Sequence, residues 1–189
     1  MKVIVNKILL ALPFFIVSLC NAQVLSVDQS NTNTVRFYAT STLINFQGTT
    51  DAVDGKIILN SKNSLTGNSV DLIVTLDSLD TGIGIRNSHM RDTYLETKKY
   101  PTASFSGKLI SIDTVSSSEY RLKTSGDITL HGVSKHLTVE GDLYNYGKLL
   151  ELKSTFFLEL SDFHIKQPSF LFNTVSNKIK VYLNVYFDR

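Results

Sequence analysis

KIKVYLNVYF, residues 178 to 187, alternates without a break: Ile179, Val181, Leu183, Val185 and Phe187 fall on one side, Lys178, Lys180, Tyr182, Asn184 and Tyr186 on the other. A strand sends successive side chains to opposite faces, so this spacing predicts a sheet with one apolar and one polar face. The same period runs through Val70, Leu72, Val74 and Leu76 against Asp71, Thr75 and Asp77, with Ile73 as the exception. It recurs over Tyr120 to Leu130, Val133 to Leu143 and Leu150 to Leu160, and in shorter form at Val35 to Thr40, Leu43 to Thr49, Gly55 to Leu59 and Ala103 to Ile112. Turn signals separate these runs: Asp54-Gly55, Thr66-Gly67-Asn68, Ser116 to Ser118, His131-Gly132, Tyr146-Gly147 and Ser176-Asn177. Connections this short join antiparallel neighbours, and about eight such strands with one apolar face close into a barrel or fold over as a sandwich.

Two segments break the alternation. From Arg86 to Thr97, Ile85, Met90 and Tyr94 share a helical face, Asn87 or Ser88 can serve as N-cap, and Tyr100-Pro101 ends the segment, which predicts one short helix. Asp162 to Asn173 holds Pro168 among Phe163, Ile165, Phe170, Leu171 and Phe172, which predicts a loop or a bent short helix. Both carry more apolar surface than an exposed connection needs, so each is expected to cover something.

Composition narrows the classes. The 189 residues are 42% hydrophobic and 19% charged, and 19 Lys and Arg against 17 Asp and Glu give +2, without the basic clustering that a phosphate backbone demands. Nucleic acid is therefore not an expected partner. A single cysteine excludes a redox pair, a disulfide framework and a cysteine-based zinc site. Lys2 and Lys7 precede the apolar run Ile8 to Val17, which is too short to span about 30 Å of hydrocarbon as a helix. With small residues at Cys20 and Ala22 it reads as an export signal, 1–22, cleaved after Ala22, ahead of one domain, 23–189. Lipidation at Cys20 is the weaker alternative, because Leu19 stands where a small residue is preferred. Loss of 1–22 removes two lysines and no acid, leaving a formally neutral periplasmic or secreted domain.

No catalytic residue set emerges: G-x-S-x-G, H-E-x-x-H and G-x-x-x-x-G-K-[ST] are all missing. His131 and His136 lie five apart across a strand start and point to opposite faces, so no metal site is expected. Asp51 to Gly55 lacks the ligand spacing of a calcium loop and reads as a hairpin turn. No cofactor is expected.

The run SLDTGIGIRNSHMRDTYLETKKYPTASFSG resembles the signature of the YceI-like polyisoprenoid-binding family, through Arg86, His89, Met90, Arg91, Tyr94-Leu95, Tyr100-Pro101 and Phe105. GDITLHGVSKHLTVEG is similar to that family's second motif, through Gly126, Leu130, Gly132, Val133, Ser134 and Lys135, and ELSDFHIKQPSF with NKIKVYLNVYF is similar to its third segment. The resemblance implies a lipocalin-like antiparallel barrel with one or two short helices at its rim and an elongated apolar cavity for an amphiphilic lipid such as a polyisoprenoid. The chain departs from the pattern at Asn33-Thr34, where a His-Ser pair is common, and at His164, where glycine is frequent.

An eight-stranded barrel is either filled by its own side chains or just wide enough for one ligand. The candidate lining is Phe37, Phe46, Leu72, Val74, Met90, Tyr94, Phe105, Leu122, Val139, Phe156, Leu158, Phe170, Val181 and Leu183, with Val70, Leu143 and Val185 also inward. Arg86, His89 and Arg91, in the most basic stretch of the chain, are candidates for an anionic head group, since a guanidinium donates two hydrogen bonds at once. The resulting expectation is an exported lipid binder that is not an enzyme and does not insert stably in a membrane, with a homodimer left open. A ligand-free interaction or inhibitor module, with the barrel filled solid, and an outer-membrane barrel, with the alternation inverted, are the competing readings.

Overall fold

The computed structural model describes residues 22–60, 65–170 and 173–188; the expected leader lies outside them except for Ala22. The strands are β1 Gln23–Val27, β2 Thr34–Ala39, β3 Phe46–Thr50, β4 Val53–Leu59, β5 Ser69–Thr75, β6 Thr102–Thr114, β7 Glu119–Leu130, β8 Val133–Asn145, β9 Leu149–Glu159, β10 Ser169–Phe170, β11 Asn173–Thr174 and β12 Lys178–Asp188. Helix α1, Gly84–His89, runs into a π-helical turn, Met90–Tyr94, and a 3-10 turn covers Leu160–Phe163.

The strands form a closed antiparallel barrel. β12 pairs with β9 along its whole length; on its other edge Lys180 to Asn184 meet β2, while Phe187 and Asp188 meet β1. β1 continues to β4, and β4 through β9 follow in sequence order. β1 and β2 run one after the other beside β12, and β3 and β4 do the same in the next position, so the barrel has eight staves, two of them broken. This corrects two readings. Residues 51–52 are a kink within a stave rather than a hairpin turn, and Asp54-Gly55 lies inside β4. Gly55 adopts φ +141°, and a Cβ there would stand 2.0 Å from the Asp71 carbonyl oxygen, so glycine serves close approach to β5.

β1 was not legible from periodicity. Its break from β2 is held by Asn33, 2% exposed, which donates from Nδ2 to the Asp28 carbonyl and accepts from the Tyr186 N–H, both at 2.9 Å. His164 has φ +55° after the 3-10 turn, which explains why glycine suits that position. The His131-Gly132 turn has both residues at positive φ, +52° and +74°, the geometry of a two-residue hairpin.

The interior is divided along the axis. At one end Leu25, Ile57, Leu122, Leu150, Val185 and Phe187 pack at 2% exposure or less in one continuous cluster. At the other end two smaller clusters, around Ala39, Val175 and Ile179 and around Ile128, Phe163 and Ile165, line opposite walls. Removing a side chain from close packing leaves a void, whereas trimming one that already borders a void loses little more than its own contacts. Leu25→Ala is therefore expected to cost about 3 kcal/mol in denaturant unfolding and Leu158→Ala about 1 kcal/mol; equal costs would show that the two ends are packed alike.

Candidate lipid cavity

Between those two clusters lies a cavity of about 820 Å³, bordered by β2, β5, β6, β9, β12, helix α1 and the segment after the 3-10 turn. Its walls include Phe37, Phe46, Leu72, Val74, Phe105, Phe156, Leu158, Val181 and Leu183 from the strands, and Met90 and Tyr94 from the helical segment. Phe37 meets Phe46 edge-on at 6.1 Å, and Gly48 makes room for it, since a Cβ there would stand 2.2 Å from the Phe37 ring. Leu72, Phe105, Phe156 and Leu183 also border a second, much smaller apolar space of about 60 Å³ below the floor. Leu122 and Val139 touch only that lower space, a correction to their expected place in the main cavity: they sit further down the staves, beyond the floor. The Phe170 side chain lies outside the description.

Further wall residues, outside the candidate lining, stand past the strand ends: Leu76 and Leu79 follow β5, Leu160 and Phe163 belong to the 3-10 turn with Ile165 just after it, and Ile44 stands in the β2–β3 connection. Ile44 and Ile85 line the cavity while 67% and 69% exposed, and Leu43 and Ile83 beside them are 69% and 49% exposed. The apolar wall therefore continues to the outer surface at the mouth.

The helix begins at Gly84, two residues earlier than its sequence suggests, and Ile83 at its N-cap supplies no side-chain bond. Asn87 instead caps the preceding turn: Oδ1 accepts from the Thr81 N–H and hydroxyl at 2.9 and 2.6 Å, and Nδ2 donates to Asp80 at 2.7 Å. That bond and the Gly82 N–H hold the Asp80 carboxyl below its usual range. Arg86 lines the cavity, with Nε and Nη2 donating to the Thr81 hydroxyl and carbonyl at 2.9 and 2.7 Å and its guanidinium 4.5 Å above the Phe46 ring. His89 also lines the cavity, without a hydrogen-bond partner among the described residues.

Arg91 stands apart from them, which corrects its expected head-group position. Its Nη2 donates to the Leu79 carbonyl at 3.0 Å, and Asp77 is 4.0 Å from Nε, so it braces the helical segment against the strand ends. His131 braces the far side: Nε2 is 2.7 Å from Glu96 Oε2, Nδ1 is 3.1 Å from the Phe163 carbonyl, and the ring packs 4.5 Å from Tyr100. His136 lies on the outer wall, bonded to Asp127.

Comparison with known proteins bears on this geometry. A family model for the YceI-like domain matches residues 25–187. The chain belongs to the YceI-like family. Protein YceI of Escherichia coli O157:H7 is 31% identical over 126 residues, covering 63% of each chain, and a UPF0312 protein of Vibrio parahaemolyticus is 29% identical, covering 63% of this chain and 64% of its own. The match thus spans less than two thirds of these relatives. Among solved structures, Burkholderia cenocepacia BcnA aligns with a TM-score of 0.70 at 15% identity, covering 85% of this chain and 98% of its own. A polyisoprenoid binding domain from Saccharophagus degradans, implicated in plant cell wall breakdown, aligns with a TM-score of 0.69 at 16% identity, covering 89% and 99%. These likenesses show that the YceI-like barrel is the shared fold.

Because Arg91 braces the segment from Met90 to Thr97, Arg91→Ala leaves the Leu79 carbonyl without its donor, at a cost of about 1 to 3 kcal/mol. Amide hydrogen exchange over residues 90–97 is expected to accelerate while β7 and β8 keep their protection; unchanged exchange there would remove the bracing role.

Proposed function

We propose that this chain is an exported carrier that holds one long-chain amphiphile of the isoprenoid type, with its tail in the mouth cavity and its head group beside Arg86 and His89. The observation that carries this reading is the roughly 820 Å³ cavity walled by aliphatic and phenylalanine side chains inside an otherwise packed barrel. Burying a methylene gains about 0.8 kcal/mol, so a tail of about ten carbons has gross transfer energy in the range of micromolar binding. Ordering the tail offsets part of that, and longer chains recover it. A loosely filled hollow is adequate, because apolar attraction is proportional to area rather than to fit.

The related domain that binds polyisoprenoid supports the choice of lipid class. The hollow argues against a ligand-free module, which would be filled solid. The direction of the alternation argues against an outer-membrane barrel: Leu25, Ile57, Val185 and Phe187 face the lumen, while Arg121, Asp142, Lys123 and Glu140 pair on the outer wall. Among the described residues no helix is long and apolar enough to cross a membrane. The two arginines divide the work, Arg91 bracing the lid and Arg86 facing the cargo. We read the cavity as a container that does no chemistry, in the periplasmic or secreted setting that an export signal at 1–22 would give.

Native mass spectrometry of the protein from its own cells is expected to show one bound amphiphile per chain. With the emptied protein, Arg86→Glu is expected to weaken binding of a prenyl phosphate by about tenfold or more, the loss of one charge-assisted contact, while leaving the matching prenol unaffected. Equal loss for both would remove the head-group role, and an emptied barrel that binds neither would remove the carrier reading.

A further inference from the structure

The outer wall opposite the lumen carries a chain of hydrogen bonds that no contiguous motif encodes. Ser125 and Asp127 project outward at alternate positions of β7; β8 runs antiparallel with Thr138 opposite Ser125 and His136 opposite Asp127. His136 Nδ1 stands 2.8 Å from Asp127 Oδ1, and His136 Nε2 stands 2.9 Å from the Ser125 hydroxyl. A carboxylate only accepts, so the ring proton belongs on Nδ1, where it is donated to Asp127. Nε2 then presents its lone pair to the Ser125 hydroxyl, which donates to it. This is the polarity in which an imidazole acts as general base toward a serine, with the carboxylate fixing its tautomer.

A third feature adjoins the serine. β6 places Lys108 directly opposite Ser125 on the same outward face. Facing residues of paired strands have Cβ atoms about 5 Å apart, within reach of a lysine ammonium. Lys108 is exposed and has no ion pair among the described residues, so its charge is available to an oxyanion forming at Ser125.

From this arrangement we propose that Ser125 is an activated nucleophile and an acyl-acceptor site on the outer wall, for small activated esters arriving from solvent. The Ser125 oxygen attacks the ester carbonyl carbon as its proton passes to His136 Nε2, and the oxyanion forms beside Lys108. The bond to the leaving oxygen then breaks, and that oxygen takes the proton back from His136, leaving an acyl-serine and an alcohol. Water, deprotonated by the same imidazole, hydrolyses the acyl-serine to a carboxylic acid and restores Ser125. No oxidant, metal or cofactor enters the balance. The His136 side chain is 66% exposed, so reactivity of the leaving group rather than shape selects the substrate. The site faces away from the lipid cavity and is independent of the carrier reading.

The test is incubation with p-nitrophenyl acetate followed by peptide mass mapping. Ser125 is expected to carry the acetyl group in the wild type, at a rate that His136→Gln lowers by about 100-fold, the usual contribution of a positioned general base. Asp127→Asn, acting through the ring, is expected to lower it in the same direction, and Ser125→Ala to abolish the modification at that peptide while lipid binding is retained. Acetylation confined to lysines, or Ser125 acetylation at the same rate in wild type and His136→Gln, overturns the proposal.

Discussion

The hydrogen bonding of β12 is the constraint on which the rest of the structure depends. This strand donates and accepts along its whole length to β9 on one edge, and on the other it serves β1 at one end and β2 at the other. Without it the sheet would be open, with exposed edges and no enclosed interior. Its register also sets the interior, because a slip by one residue would turn every inward apolar side chain outward. Val185 and Phe187 lie in the closed end, while Ile179 and Val181 stand in the wall of the hollow, so one strand carries both halves of the design.

The mouth half of the hollow is covered by elements outside the ladder. The helical segment is braced through Arg91 to Leu79 and through His131 to Glu96 and the Phe163 carbonyl. Glu96 and His131 both adopt positive φ, +47° and +52°, a conformation that costs a non-glycine residue energy and persists where the surroundings over-determine it. Such a lid is stiff along its braces and apolar at its lip, where Ile44 and Ile85 meet solvent. On the proposed carrier reading, a tail enters past these apolar side chains.

Most of the ladder was legible in the sequence, because each long strand keeps one apolar face and the turn residues fall between them. β1 was not, since five residues with two buried positions give too short a period to stand out. Asp54-Gly55 misled because the same dipeptide serves a reversal or a close approach of backbones, and only the partner strand decides which. In the site, the strand residues of the wall followed from alternation, whereas Leu79, Phe163 and Ile165 come from turns with no period to read. Arg86 and Arg91 are indistinguishable as letters in a basic run; the helix start at Gly84 turns one toward the lumen and the other toward the Leu79 carbonyl.

On the carrier reading a lipid tail occupies the mouth half of the barrel and stops at the floor formed by Leu72, Phe105, Phe156 and Leu183. The most direct measurement is methyl NMR of the emptied protein loaded with a prenyl-like amphiphile bearing a nitroxide near the end of its tail. Broadening is predicted at the methyl groups of Leu158, Val181 and Leu183, with those of Leu25, Leu150 and Ile57 left sharp. Broadening of outward methyl groups alone, or none at all under saturating ligand, would contradict the account.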